Sequence, residues 1–509
     1  MNSCVQPTRH VLHSETLLRP ISLAAAVLVL LLLAVPPARA GRDHEVAGVT
    51  ALASASAGAA FDGFGASGAW WARDTGRMRS ATRSEIARLL FTKQGLGLTM
   101  YRYNLGGGGR INEARRWAPG YLRADGAYNW SADPWGRDML SRAASLGVPR
   151  LVAFANAAPP EYTTDGRGCA GKLRADSVAR YASYLARVVA HLSAAGTPLT
   201  YVSPMNEPDS SMSTCNQEGM KVPVSLRAPL VTALQSALAR RGSRAEVIAD
   251  ESSRVGDELL TETPGWLAGA GSSGTAQPSA IAYHTYDSPS LSTLAKVATL
   301  SGVTSHPAFM SELCCLVNGR FTRGYHPGMQ SAMWLARAVW QNLAVARATS
   351  FSWWVALSPE LGCDARSASC GTSSNSRGWD DGLVYYDRDY RRDGDQRLVL
   401  TKRYWAYAQF SRWITPGMNS HDVTGVPSDA RVLVYQGNGR TVVVGLPSKG
   451  ATGTTRFNLQ LPWLGSATAS VTRTSARRND GSLPGLAVSG GVLPVTLPRN
   501  SVTTYVISD

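Results

Sequence analysis

The sequence is poor in the features that mark metal-binding and nucleic-acid-binding proteins. It holds 8 histidines in 509 residues, and none of its seven cysteines stands in a Cys-x2-Cys spacing, so no metal-ligand constellation can be assembled from it. No run of five or more Lys or Arg occurs, although the formal net charge is +15. The basic residues are almost all Arg scattered through Ala-rich segments, which argues against a nucleic-acid footprint and leaves only a diffuse attraction for acidic polymers. Gly106 to Gly109 is not followed by Gly-Lys-Ser/Thr and is therefore no phosphate loop. A tight turn is the better reading. Internal repeats, long low-complexity segments and a Pro/Ser/Thr-rich tether are also missing. The longest uncharged apolar run, Ile21 to Val35, has 15 residues and falls short of the roughly 20 that a spanning helix needs.

That run lies behind Arg9 and Arg19 and ahead of Pro36-Pro37-Ala38-Arg39-Ala40, the layout of a secretory signal peptide with a small-residue cleavage site. The expectation is a signal peptide over 1–40, a mature start near Gly41, an extracellular, secreted product and no membrane insertion after cleavage. Loss of Arg9, Arg19, Arg39 and Glu15 leaves a charge of +13. Cys4 leaves with the signal, and the remaining Cys169, Cys215, Cys314, Cys315, Cys363 and Cys370 are an even number in an exported chain, which favours disulfides. Cys363 and Cys370 lie close in a Gly/Ser-rich loop and are expected to pair. Cys169 with Cys215 would tie two neighbouring loops, and the adjacent Cys314 and Cys315 are left unassigned.

With 44% hydrophobic and 17% charged residues the chain is globular, and its length suits two compact units. From Ala60 to about Trp413, short β-like runs alternate with amphipathic helical stretches. Eight strands are predicted, over Ala60 to Ala66, Leu98 to Tyr103, Leu151 to Ala155, Thr200 to Asn206, Glu246 to Asp250, Ala280 to His284, Ala308 to Ser311 and Thr349 to Trp354. Between them lie helical stretches such as Asp176 to Ala194, with Val178, Tyr181, Leu185, Val188 and Val189 on one side, and Met329 to Ala346. Eight strand-then-helix units predict a closed (β/α)8 TIM barrel over 59–413. After Trp413 helical periodicity vanishes. Short alternating runs separated by Gly, Asn, Pro and Ser predict an attached antiparallel β-sandwich over 414–509. The run Glu45 to Ala51, within 41–58, is expected to be a strand that pairs with this sandwich.

In such a barrel, reactive groups belong at the C-terminal ends of strands. Glu207 closes the fourth predicted strand and Glu312 the seventh, and 105 residues between them is what three βα units consume. Two carboxyl groups facing each other across a bond are what glycoside hydrolysis requires, one as proton donor and the other as nucleophile or base. Asp250-Glu251, ending the fifth strand, is a rival pair. Neighbouring strand residues point to opposite faces, so only one of the two can enter the site.

Asn206-Glu207-Pro208 resembles the Asn-Glu-Pro signature of the clan of barrel glycosidases that carry the acid/base on strand four and the nucleophile on strand seven. Phe61-Asp62-Gly63-Phe64-Gly65-Ala66-Ser67-Gly68-Ala69-Trp70-Trp71, Tyr101-Arg102-Tyr103-Asn104-Leu105-Gly106 and Ser311-Glu312 resemble glycoside hydrolase family 30, over nearly the whole mature chain. The resemblance implies a β-sandwich formed by both chain ends and a retaining β-glycosidase acting on a polysaccharide. Gly68 to Trp71 is most similar to the endo-β-1,6-galactanase subgroup, which acts on the side chains of arabinogalactan. Where many members read Trp-Ser-x-Pro-x-Trp-Met on strand three, this chain has Phe154-Ala155-Asn156-Ala157-Ala158-Pro159-Pro160. That departure speaks against the usual xylanase and glucosylceramidase pockets. A β-1,6-glucanase or another family specificity remains the same-class alternative, and a non-catalytic carbohydrate-binding cell-wall protein the alternative of another class.

The chemistry then assigns roles. Glu207 is the acid/base, its carboxyl kept protonated by the charge of Glu312 nearby, and Glu312 is the nucleophile. Asn206 is expected to bond the sugar 2-hydroxyl, Arg102 to pair with Glu312, and Tyr283 or His284 to orient the nucleophile. Trp70, Trp71, Trp353 and Trp354 offer flat faces for sugar rings. The reaction needs no metal and no cofactor, and the expected working form is a monomer on a β-linked galactan or glucan.

Overall fold

Strands buried on both faces read as near-continuous apolar runs, and Arg150–Phe154, with Leu151 to Phe154 buried, is such a strand. In the computed structural model, which describes residues 44–108, 116–210, 212–271, 277–317, 320–321 and 323–508, it is the third stave of a closed parallel barrel. The staves in order are Gly63–Ser67, Met100–Asn104, Arg150–Phe154, Tyr201–Ser203, Glu246–Ser252, Ala280–His284, Ala308–Glu312 and Ser350–Ser358. Ser350 pairs with both Gly63 and Phe309, which closes the cylinder. Met100, Val152, Tyr201, Ile248, Ala280, Ala282 and Phe309, from staves two to seven, form the cluster that fills its inside. Helices wrap the outside. Val178–Ala194 buries Val178, Tyr181, Leu185, Val188 and Val189, the side that the 3.6-residue period predicts.

Two additions to the barrel were not foreseen. Gly382–Tyr386 extends the eighth stave in parallel, and Leu398–Leu400 runs antiparallel beyond it. Their flanking Gly, Ser, Asp and Arg residues hide the β signal, which here comes from burial against the eighth stave.

The sandwich has a six-stranded sheet, ordered Asn419–His421, Ala430–Gly437, Arg440–Pro447, Val502–Ser508, Ala467–Ser475 and Arg478–Val488. It faces a four-stranded sheet of Val423–Thr424, His44–Ala53, Thr455–Gln460 and Val492–Leu497. Val434, Val443, Leu459, Leu493 and Ile507 close the space between them. The N-terminal strand belongs to this sandwich as expected. It runs antiparallel to Val423–Thr424 but parallel to Thr455–Gln460, so the module is not wholly antiparallel.

The two parts meet over a continuous apolar surface in which Leu433, Tyr435, Val442 and Val444 join the barrel's core. The Phe61 and Tyr435 rings lie 5.6 Å apart across it. On the helix Lys402–Ser411, Gln409 accepts from Thr472 and Thr504 and donates to Asp480, so its buried amide is satisfied by the sandwich.

Disulfides join Cys169 to Cys215, Cys363 to Cys370, and the neighbours Cys314 and Cys315, which the sequence left unassigned. The signal-peptide segment 1–40, Cys4, residues 41–43 and Gly109 lie outside the described residues. Among the described residues no helix is long and apolar enough to cross a membrane.

Candidate active site

At the ends of staves four and five the backbone leaves the extended conformation abruptly. Glu207 has φ 47° and Glu251 φ 61°, the left-handed region in which a side chain costs about 1–3 kcal/mol. The Glu207 N–H donates to the Glu251 carbonyl at 3.0 Å, locking the two bends together. The bends set the directions of the side chains. Glu251 enters the barrel mouth while Asp250 turns outward, accepting from Arg227 at 2.8 Å and from the Trp266 indole at 3.0 Å.

Inside the mouth, charges stand in close pairs. Arg102, on stave two, donates to Glu312 at 2.9 Å, and its other terminal nitrogen lies 3.4 Å from Glu251. The same nitrogen lies 3.5 Å from Asn206 Oδ1, and the guanidinium sits 4.1 Å over the Phe154 ring. His284 Nδ1 is 3.1 Å from Glu207 Oε1 and its Nε2 is 3.0 Å from Glu251 Oε2. The Tyr286 hydroxyl donates to Glu312 Oε1 at 3.1 Å, and the Ser311 hydroxyl donates to Glu251. Glu207, Glu251, Glu312, Arg102 and His284 are all buried.

Burial works against every one of these charges, and the partners decide which survive. Burial pushes the Glu251 carboxyl up, but Arg102, His284 and Ser311 together hold it at about 2. Burial pushes His284 down, but Glu312, Glu207 and Glu251 raise it to about 10, so the imidazole is charged at neutral pH. For Glu207 burial wins. Its carboxyl lies above the ordinary range, with repulsion from Glu312 adding to the rise and His284 opposing it. Loss of hydration is thus a larger cause than the charge of Glu312, which the sequence alone suggests.

An oxygen of Glu207, an oxygen of Glu312 and a nitrogen of His284 lie within 4.8 Å of one another. A cation there would have to displace the proton that His284 shares with Glu207 and compete with Arg102 for Glu312.

Of the residues singled out in the sequence, Glu207, Glu312, Asn206, Arg102 and His284 converge on this cluster. Tyr283 does not. It points outward from stave six, and its hydroxyl donates to Asn342 at 2.8 Å in the helical layer. Tyr286, two residues past the strand end, is the tyrosine that reaches Glu312. The tryptophan pairs also divide. Trp71 donates to the Ser67 carbonyl at 2.8 Å and Trp353 to the Asp381 carbonyl at 2.5 Å, and both are buried in the core. Trp70 and Trp354, also buried, meet edge to face at 6.3 Å, and with Trp71 they line a cleft of about 710 Å³ beside the mouth. Glu251, Tyr286 and Ser311 were missed as members of the cluster. For Glu251 the sequence offered only a choice between it and Asp250.

A parallel barrel with two glutamates, from staves four and seven, meeting at its C-terminal mouth defines a glycoside hydrolase, and comparison with known proteins agrees. The model of the O-glycosyl hydrolase family 30 matches residues 52–265, and the chain is similar to that family. An endo-β-1,6-galactanase of Hypocrea rufa is 21% identical over 496 residues, covering 88% of this chain and 92% of that one. The fold is shared with a conserved exported protein from Bacteroides fragilis, at TM-score 0.73 and 18% identity, covering 90% of this chain and 100% of that chain. It is also shared with the catalytic domain of the GH30 xylanase C from Talaromyces cellulolyticus, at TM-score 0.69 and 21% identity, with the same coverage.

Proposed function

We propose that this enzyme is an exported, retaining endo-β-1,6-galactanase acting on the galactan side chains of arabinogalactan, with Glu207 as acid/base and Glu312 as nucleophile. The observation that carries the mechanism is that an oxygen of one carboxyl group lies within 4.8 Å of an oxygen of the other. This suits direct attack, whereas an inverting pair stands roughly 6.5–9.5 Å apart to admit a water. The Glu312 carboxylate attacks the anomeric carbon, the glycosidic C–O bond breaks, and the proton of Glu207 passes to the leaving oxygen. Water then attacks the glycosyl-enzyme while Glu207 takes its proton, and the C–O bond to Glu312 breaks. Arg102 and Tyr286 hold the two oxygens of Glu312 in line for attack.

Galactan is favoured by the Gly68-Ala69-Trp70-Trp71 motif and by the name of the Hypocrea rufa relative. Export is favoured by the charge and apolar pattern of residues 1–40 and by the three disulfides. Purified protein should release oligosaccharides from de-arabinosylated arabinogalactan faster than from β-1,6-glucan or glucuronoxylan, with the β-anomer formed first in an NMR time course. Faster release from either rival polymer would overturn the substrate, and an α-anomer formed first would overturn the mechanism.

A further inference from the structure

His284 stands between two carboxyl groups with both ring nitrogens engaged, Nδ1 at Glu207 Oε1 and Nε2 at Glu251 Oε2. Nothing in the double-displacement chemistry calls for Glu251. It is wholly buried, on the far side of the imidazole from the proposed acid, and its carbonyl also anchors the Glu207 backbone N–H at 3.0 Å. The charged and titratable groups facing His284 are Glu207, Glu251 and Glu312, with the Tyr286 ring 5.8 Å away edge-on. Three carboxyl groups around one imidazole favour its charged form, and although burial opposes this, His284 is pushed up to about 10. A charged imidazole has two N–H groups and no lone pair, so it donates to Glu207 Oε1 and accepts nothing from it. The acid proton of Glu207 then has one oxygen left to occupy, Oε2.

We propose that Glu251 is a positioning residue for catalysis. By holding His284 as a double donor, it confines the transferable proton of Glu207 to Oε2, the oxygen free to meet the leaving group. A neutral imidazole protonated on Nε2 would instead accept at Nδ1 and draw that proton onto Oε1, away from the glycosidic oxygen. This rests on Glu207 being the acid/base but not on the identity of the sugar. In the first step the proton leaves Oε2 for the departing oxygen. The resulting Glu207 carboxylate keeps the His284 hydrogen bond, which steadies it until it takes a proton from water in the second step.

Two measurements on the full chain test this. In protein labelled with ¹⁵N-histidine, with the His284 signals assigned by their loss in His284→Gln, both ring nitrogens of wild type should carry protons up to at least pH 8. Glu251→Asp should keep them, and Glu251→Gln should lose one by pH 8. A neutral His284 at pH 7 in wild type, or a charged one at pH 8 in Glu251→Gln, overturns the proposal whatever the substrate.

The second readout is the leaving group. On whichever polysaccharide wild type cleaves, Glu251→Gln should lower kcat by about 10- to 100-fold, part of the 10²–10⁴ that a general acid supplies. On the 2,4-dinitrophenyl glycoside of the same sugar, which departs without a proton, it should lose less than about threefold in the glycosylation step. The alkaline limb of kcat/KM should also move to higher pH, because loss of the imidazole charge leaves the Glu207 carboxylate less stabilised. Equal losses on both substrates would mark a merely structural role and sink the idea. Failure to cleave galactan would unseat only the substrate reading.

Discussion

At the barrel mouth Glu207, Glu251, Glu312, Arg102 and His284 are buried against one another, whereas the sandwich closes over Val434, Val443, Leu459, Leu493 and Ile507. The apolar set gains from losing water whatever its neighbours are, so its residues act almost independently. Each charged residue instead loses hydration and recovers it only through particular partners at particular distances. Left-handed bends occur in both regions, but in the sandwich they fall on Asn438, Asp480 and Asn500, types that tolerate them, whereas in the mouth they fall on Glu207 and Glu251. One region therefore supplies stability and tolerates exchange of shape, while the other spends it and tolerates little.

The sharpest break in this contrast is Glu312→Gln. It should lower kcat by about 10³-fold or more, because the attacking oxygen is lost, while shifting the melting temperature by only a few degrees. If activity survives, the mouth is not the reacting centre. Next in size is Leu459→Ala inside the sandwich, expected to cost about 2–5 kcal/mol in denaturant unfolding with kcat unchanged below the transition. A parallel fall in kcat would show that the two regions are coupled and the contrast too simple. Opening the eight-residue loop with Cys363→Ser and Cys370→Ser should cost about 2–3 kcal/mol by chain entropy, visible as a lower denaturation midpoint.

The smallest effect is expected with pH near neutrality. The Glu251 carboxyl is held below its ordinary value, so its stabilisation is full above about pH 4.5 and is lost as the pH falls towards 2. His284 is raised, so its share is full below about pH 6.5 and fades as the pH rises through about 10. Unfolding free energy should be nearly flat between about pH 4.5 and 6.5 and drop on both sides. His284→Gln should flatten the alkaline drop, whereas the Leu459→Ala decrement should not depend on pH.

The fold was legible to the extent that burial follows period. Barrel strands such as Ala308–Glu312 and the helix Val178–Ala194 were found because a stripe or a run of apolar residues has one physical outcome. Glu207, Glu312 and Arg102 could be singled out because strand ends point at the mouth and their motifs resemble a known family. Period failed where the chain stops being periodic. The left-handed bend at Glu251 decided between it and Asp250, and Tyr286 reaches Glu312 from beyond the last residue of its strand. Trp353 looks like a sugar platform in the sequence as much as Trp70 and Trp354 do. Only its burial and the bond of its indole to the Asp381 carbonyl place it in the core. The outer strand Gly382–Tyr386 was hidden because its flanks are polar and its burial comes from a neighbour brought in by closure of the barrel.

The amino-acid order by itself determined a parallel barrel followed by a β module, and which two glutamates stand at the ends of staves four and seven. Local pattern carries that much because strands and helices are set by short-range periodicity. Which groups face each other, which charges survive burial, and which oxygen of Glu207 is left free were decided only when the barrel closed. Those properties depend on distances of a few ångströms between residues up to 210 positions apart, as Arg102 and Glu312 are, and no local pattern encodes such distances.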